Sequence, residues 1–268
     1  MANRYERILL HVFEQHNPDG NVHDFVFARE EIVEAAARLD IALPKNVGDV
    51  IYSFRYRAPL PDAIRAVAPS GYEWLIEPAG KGKYRFVARP VATLAPRMNL
   101  LAVKVPDATP EIIARYAMTD EQALLARLRY NRLIDIFLGM ATYSLQNHLR
   151  TTVAGVGQIE IDELYVGVNR TGAQFIIPVQ AKGSSDRIGS VQAKQDILFC
   201  QEKYPSLGCR PIAAQTLADD TVVLFELTME NDQIRVVEEK HYRLTPGDEI
   251  SAADLASYAA RSASADRR

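Results

Sequence analysis

Apolar residues recur at helical spacing near the start of the chain. Tyr5, Ile8, Leu9, Val12 and Phe13 form a first run, and Ile32, Val33, Ala36 and Leu39 a second. A third helix is predicted over 47–57, with Val47, Val50, Ile51 and Phe54 inward and Asn46 as N-cap. Pro59 and Pro61 end it. Residues 73–76 and 84–88 then read as two short strands around a turn at 78–83, where Gly80 and Gly82 supply positive φ.

Three helices and a two-stranded hairpin outline a winged helix, a fold whose third helix usually enters the major groove while its wing touches backbone or minor groove. Both surfaces carry bases here: Lys45, Arg55 and Arg57 at the third helix, with the polar Asn46 at its start, and Lys81 and Lys83 at the wing. The alternative is a winged helix that binds protein. Residues 89–110 hold Pro90, Pro96, Pro106 and Pro110 without a clear period and read as a connector, within which 98–105 is apolar enough to pack as an extended piece. The expected domains are 1–89 and 111–258, joined by a linker at 90–110 and followed by a flexible tail at 259–268.

In the second domain a helical region is predicted over 120–150 from Leu124, Leu128, Leu133, Ile136, Phe137, Met140 and Leu145, with Gly139 as an interruption. Residues 158–168 alternate as a strand: Ile159, Ile161, Glu163 and Tyr165 face one way, Glu160, Asp162, Leu164 and Val166 the other. A turn at 169–172 leads into a buried strand at 173–181, which exits at Lys182 and Gly183. A helix at 188–204 and strands at 211–216, 221–228, 234–237 and 241–244 complete a mixed α/β (α+β) pattern.

Composition narrows the class. With 48% apolar residues and 14 prolines in 268, the chain is neither disordered nor collagen-like. Its 31 basic and 34 acidic residues sum to −3, so nucleic-acid binding must rest on local basic patches. No run reaches the ~18 apolar residues of a membrane span. The start lacks the apolar region of a signal peptide, and Cys200 and Cys209 match no metal spacing, so a cytoplasmic location is expected. The five histidines, His11, His16, His23, His148 and His241, lack zinc spacing and read as structural or surface residues. There is no nucleophile elbow, P-loop or dinucleotide fingerprint.

One constellation carries chemistry. Gln180 and Lys182 lie two apart on a strand and share a face, opposite an acid, Asp162, on the neighbouring strand. Oxygen ligands in such a set can hold Mg²⁺, with a lysine beside the attacking water and the scissile phosphate. Phosphodiester hydrolysis needs a metal to polarise phosphoryl oxygens and a cation to orient or stabilise developing charge.

The segment EID-x17-QAKG resembles the PD-(D/E)XK nuclease signature, and the whole chain resembles bacterial restriction-type endonucleases through NVGDVIYSFRYR, DEQALLARLRYNRLIDIFLG, YSLQNHLRTTV, GQIEIDELYVGV and IPVQAKG. The resemblance implies a restriction-endonuclease-like mixed sheet flanked by helices. It also implies Asp162 as metal-binding aspartate, Lys182 as catalytic lysine and the Ala181 carbonyl as a further metal ligand. Gln180 occupies the place usually held by Glu or Asp; the family includes such Gln-x-Lys forms. Glu160, on the Asp162 face, and Glu121, where such nucleases often place an extra acid, are candidates to compensate; Glu163 becomes one only if a bulge shifts the pleat. The implied partners are double-stranded DNA, a second copy of the chain and a companion methyltransferase.

Without the resemblance, Asp162, Glu160 and Glu163 read as a solvated strand face and Lys182 as a strand end. A second QAK at 192–194 sits in a helical period, where Gln192 and Lys194 share no face. Gln192 and Gln195 read either as a polar helix face or as contacts to DNA backbone. Arg127 and Arg129 read as balancing Asp120 and Glu121.

Overall fold

The computed structural model describes residues 3–56, 58–90, 94–116, 120–154, 156–184, 188–231 and 233–265. The chain forms two compact units: Met1–Thr93 with Thr152–Ile159, and Leu94–Thr151 with Glu160–Arg268.

The first unit runs α1 (Arg4–His16), β1 (Asp24–Ala28), α2 (Arg29–Arg38), α3 (Gly48–Tyr56), α4 (Asp62–Ala66), β2 (Tyr72–Pro78) and β3 (Lys83–Pro90). Asn3 and Glu6 close a capping box on α1, which buries Ile8, Leu9, Val12 and Phe13. The sheet order is β1-β3-β2, antiparallel throughout. The three helices and the hairpin stand where the sequence pattern puts them. Strand β1 and the short α4 are additions: β1 is five residues long, too brief for a two-residue period to stand out. Phe13, Phe25, Phe27, Trp74 and Phe86 pack in the core between helices and sheet, mostly edge-on or tilted, with Phe27 stacked on Phe86.

The second unit runs β4 (Val103–Pro106), α5 (Glu111–Tyr116), α6 (Asp120–Tyr130), α7 (Leu133–Leu138), β5 (Ala141–Val153), β6 (Gly157–Val168), β7 (Gln174–Lys182), α8 (Ser190–Lys203), β8 (Gly208–Cys209), β9 (Ile212–Thr216), β10 (Val222–Glu230), β11 (Gln233–Thr245) and α9 (Ala252–Ala265). The mixed sheet has the order β4-β11-β10-β9-β7-β6-β5, with β8 beside β7. Strand β7 is the pivot, antiparallel to β6 and parallel to β9. One sheet face packs Ile177, Val179, Ala181, Ile212 and Ala214 against α6 and α7; the other packs Ala213, Val223 and Phe225 against Ala193 and Ile197 of α8. The fold class is thus α+β, helices on both faces of a mixed sheet. Among the described residues no helix is long and apolar enough to cross a membrane.

Three sequence expectations change. The helical region at 120–150 is α6, α7 and then a strand. Gly139 adopts φ 63° and ends α7, and the Asp135 carboxylate accepts from Thr142 N–H and hydroxyl, starting β5 in extended form. Thr142, Tyr143, Thr151 and Val153 favour that form, and the apolar spacing Leu145–Leu149 had fitted a helix equally well. The connector at 90–110 is packed in part: Leu94 is buried, Glu239 accepts from Arg97 N–H and Nε, and Val103–Pro106 pairs as β4, extended as expected within 98–105, while Met98 and Leu101 stay exposed. The tail at 259–268 is helical through Ala265, because α9 begins at a Ser251–Asp254 box and docks through Tyr258 Oη, which accepts from Lys104 N–H (3.0 Å), and through an Asp254–Lys104 ion pair (3.1 Å).

Candidate active site

The β6–β7 ladder runs from Val168↔Gln174 to Glu163↔Val179. One step further Asp162 would face Gln180, and there side chains take over from backbone. Ala181 N–H donates to Asp162 Oδ2 (2.8 Å). Gln180 Nε2 donates to the Glu160 carbonyl (3.0 Å) and to Asp196 Oδ2 (2.9 Å). Lys182 Nζ, also near the strand's end, reaches Glu121 Oε1 at the start of α6 (2.9 Å). Asp162, Gln180, Ala181, Lys182 and Glu121, chosen from sequence, therefore meet in one place.

Gln180 is 4% exposed and Asp196 2%. Gln180 Oε1 is buried without a hydrogen-bond partner among the described residues. Burial raises the Asp162 carboxyl above the usual aspartate range; the Ala181 N–H, Lys182 and His148 oppose this and Glu121 adds to it. Burial holds Asp196 well above that range too; its bond from Gln180 opposes the shift, the Asp162 charge adds to it and Lys182 opposes it. Gln180, Lys182, Gln192 and Asp196 line a small recess of about 10 Å³, room for about one water, with Ile188, Leu227 and residues of β9.

The remaining acids separate. Glu160 gives its carbonyl oxygen to Gln180, while its carboxylate pairs with Arg150 (3.2 Å). Glu163 lies on the opposite face, 0% exposed, where its Oε1 accepts from Arg129 (2.9 Å) and Ser144 (2.6 Å). The pleat is not shifted, so Glu163 is no candidate ligand. Nor do Arg127 and Arg129 balance Asp120 and Glu121: Arg127 pairs with Asp220 and Arg129 with Glu163.

Sequence reasoning missed Asp196 and His148. Asp196 stands four residues beyond Gln192 on α8, one turn along the same helix face. That spacing is a usable signal, overlaid in the sequence by the repeated QAK. His148 sits in β5 at φ 46°, a left-handed residue within a strand, and its charge bears on Asp162. No sequence signal marks that kink.

The donor set suits a hard divalent cation. Asp162 offers a carboxylate, Gln180 a buried amide oxygen lacking a partner, and Ala181 a backbone carbonyl, all oxygen. Among the described residues no three His, Cys, Asp or Glu side chains group as a metal site, so the neutral donors would have to complete the shell.

In the first unit, Lys45 and Asn46 are exposed before α3. Asn46 Oδ1 accepts from Gly48 N–H (3.2 Å) and its Nδ2 donates to Asp49 (2.8 Å), a capping role more than a free reader's. Arg55 is half-buried, with Nε and Nη2 screened from solvent. Arg57 lies outside the described residues. Lys81 and Lys83 are exposed at the β2–β3 turn, where Gly80 and Gly82 have φ 113° and 69°. Gly82 O accepts from Arg29 N–H (2.8 Å), joining the wing to the start of α2. A Cβ on Gly48 would stand 3.6 Å from Arg29 Nη2 and 3.7 Å from Tyr84 Oη, which places Arg29, unmarked by the sequence reading, beside Asn46 and the wing.

Comparison with known proteins yields no matching family model, no matching curated protein and no matching solved structure, so the chemistry of this cluster stands on its own residues.

Proposed function

We propose that the chain is a Mg²⁺-dependent deoxyribonuclease, a cytoplasmic restriction-type endonuclease acting on double-stranded DNA. The observation that carries this reading is the convergence of Asp162, Gln180, Ala181 and Lys182 where the β6–β7 ladder gives way to side-chain bonds. Asp162, Gln180 and the Ala181 carbonyl would hold the cation. When bound, Mg²⁺ supplies polarisation of the phosphoryl oxygens and a lowered pKa for water.

The protein's own groups do the rest. Lys182 carries positive charge to the side of Asp162, where it can orient the attacking water and stabilise charge developing on the phosphate. Glu121 holds the ammonium in place by the 2.9 Å bond. Ala181 N–H fixes the rotamer of Asp162. The reaction is direct hydrolysis without a covalent intermediate. Lys81, Lys83, Lys45 and Arg29 would position the duplex, and Gln192, on α8 beside Gln180 and Lys182, would touch its backbone. A homodimer would offer an active site to each strand, and a methyltransferase would protect host sites.

The test is cleavage of supercoiled plasmid with Mg²⁺ at matched folded concentrations. Asp162→Ala and Lys182→Ala are expected to lower the rate at least ~10²-fold while DNA binding survives. Near-normal rates in either variant refute the assignment.

A second reading, a DNA-binding regulator with a degenerate nuclease core, draws on one observation: Gln180 leaves the cluster short of a third charged ligand. Wild-type protein that binds duplex but never cuts it would favour this reading.

A further inference from the structure

The geometry points to Asp196 as the positioning residue that fixes which way round the Gln180 amide stands, turning a neutral side chain into a committed oxygen donor. This rests on the reading that the cluster takes a divalent cation. The two ends of a glutamine amide differ: one donates twice and the other only accepts. Gln180 meets two acceptors, the Glu160 carbonyl at 3.0 Å and Asp196 Oδ2 at 2.9 Å. Its NH₂ must face them. An inverted amide would set Oε1 against two oxygens in a site where both Gln180 and Asp196 are almost wholly buried. Oε1 is therefore driven to the other side, where it has no hydrogen-bond partner among the described residues. A buried carbonyl oxygen held without a partner is costly, and a hard cation shared with Asp162 is a partner of the right chemistry.

The same geometry accounts for a glutamine at this strand position. Asp196 already brings a carboxyl within hydrogen-bond distance of residue 180. A glutamate there would set two carboxyls against each other in a dry site, which is unfavourable unless a proton or cation lies between them. The helix supplies the carboxyl, the strand supplies the oxygen, and the amide links them.

The experiment is Mn²⁺ binding followed by electron paramagnetic resonance of the free ion, on full-length protein without DNA. Asp196→Asn, whose amide can turn a donor toward Gln180 and so leaves the Glu160 carbonyl as the remaining fixed acceptor, is expected to weaken binding ~10–100-fold, the range for loss of an orienting partner. Gln180→Leu should weaken it similarly, and the double variant should be no weaker than Gln180→Leu alone, because Asp196 acts through Gln180. The exchange Gln180→Glu with Asp196→Asn, which keeps one carboxylate and one amide, should recover most of the affinity and guards against a single variant that fails to fold. Wild-type affinity in Asp196→Asn, or additive losses in the double variant, overturns the inference. Asp162→Ala separates the two levels. If it abolishes binding while Asp196→Asn does not, the cation site stands and the positioning role falls. If wild type binds no Mn²⁺, or Asp162→Ala binds as wild type does, both fall.

Discussion

At the scale of single residues, burial sorts acids that look alike in sequence. Glu160, Asp162 and Glu163 are consecutive or nearly so, yet one pairs with Arg150, one holds the Ala181 N–H and one is sealed beneath Arg129. Alternation predicted the division between faces correctly, because β6 stays regular. It could not predict the partners, which come from β5, β7 and α6. The Glu163 side chain is fully buried while Arg129 is 39% exposed, so the pair is a one-sided burial. Arg129→Ala strands the carboxylate in the core. The expected loss is about 2–3 kcal/mol, below the ~3–5 of a fully buried pair because Arg129 is partly solvated and Ser144 remains. Adding Glu163→Gln should recover part of it. Urea denaturation of the two variants measures both; a loss within error of zero would mean that Glu163 finds other partners.

At the scale of elements, the helices of the first unit and strands β6 and β7 were legible because their apolar periods are long and single-valued. Strand β5 was not: its leucines, four apart, satisfy a helical period, and its extended form is set by the Gly139 turn and by the Asp135 carboxylate at Thr142. Helix α9 was missed for the opposite reason. Its small and polar residues carry little apolar signal, and its anchors are Ser251, Asp254 and Tyr258. Bonds from the Ser251 hydroxyl and N–H, aided by Lys104, hold the Asp254 carboxyl down to about 2. A depressed folded-state value means that these bonds stabilise α9 fully above the ordinary aspartate range, near 3.8, and are lost as the pH falls from there through about 2. The protection of α9 amides relative to their intrinsic exchange rates is expected to fall across that window, and Asp254→Asn should remove the transition.

At the scale of the molecule, a net charge of −3 leaves any hold on DNA to local patches. In the first unit Lys81 and Lys83 stand exposed on a glycine-hinged turn. Their side chains suit phosphates, which bind in proportion to counterions released, better than base edges. Lys81→Ala with Lys83→Ala is expected to weaken binding to every duplex alike and to flatten the slope of log affinity against log salt by about 1 per lysine. Binding curves on unrelated duplexes at several salt concentrations decide this. An unchanged slope would leave the wing without a role in binding nucleic acid.

The anchoring of α9 has a consequence for how copies of the chain avoid one another. Among the described residues strand β4 ends the order of the mixed sheet, bonded to β11 along one side. A strand left open on its other side is a template for a neighbour's backbone, the usual start of edge-to-edge aggregation. Here the Lys104 N–H is bonded to Tyr258 Oη, and the Lys104 ammonium is held by Asp254 and by the Glu249 carbonyl. The helix thus acts as a guard rail. Acid that frees α9 should uncover β4 as well, and light scattering should rise over the same pH window in which α9 loses protection.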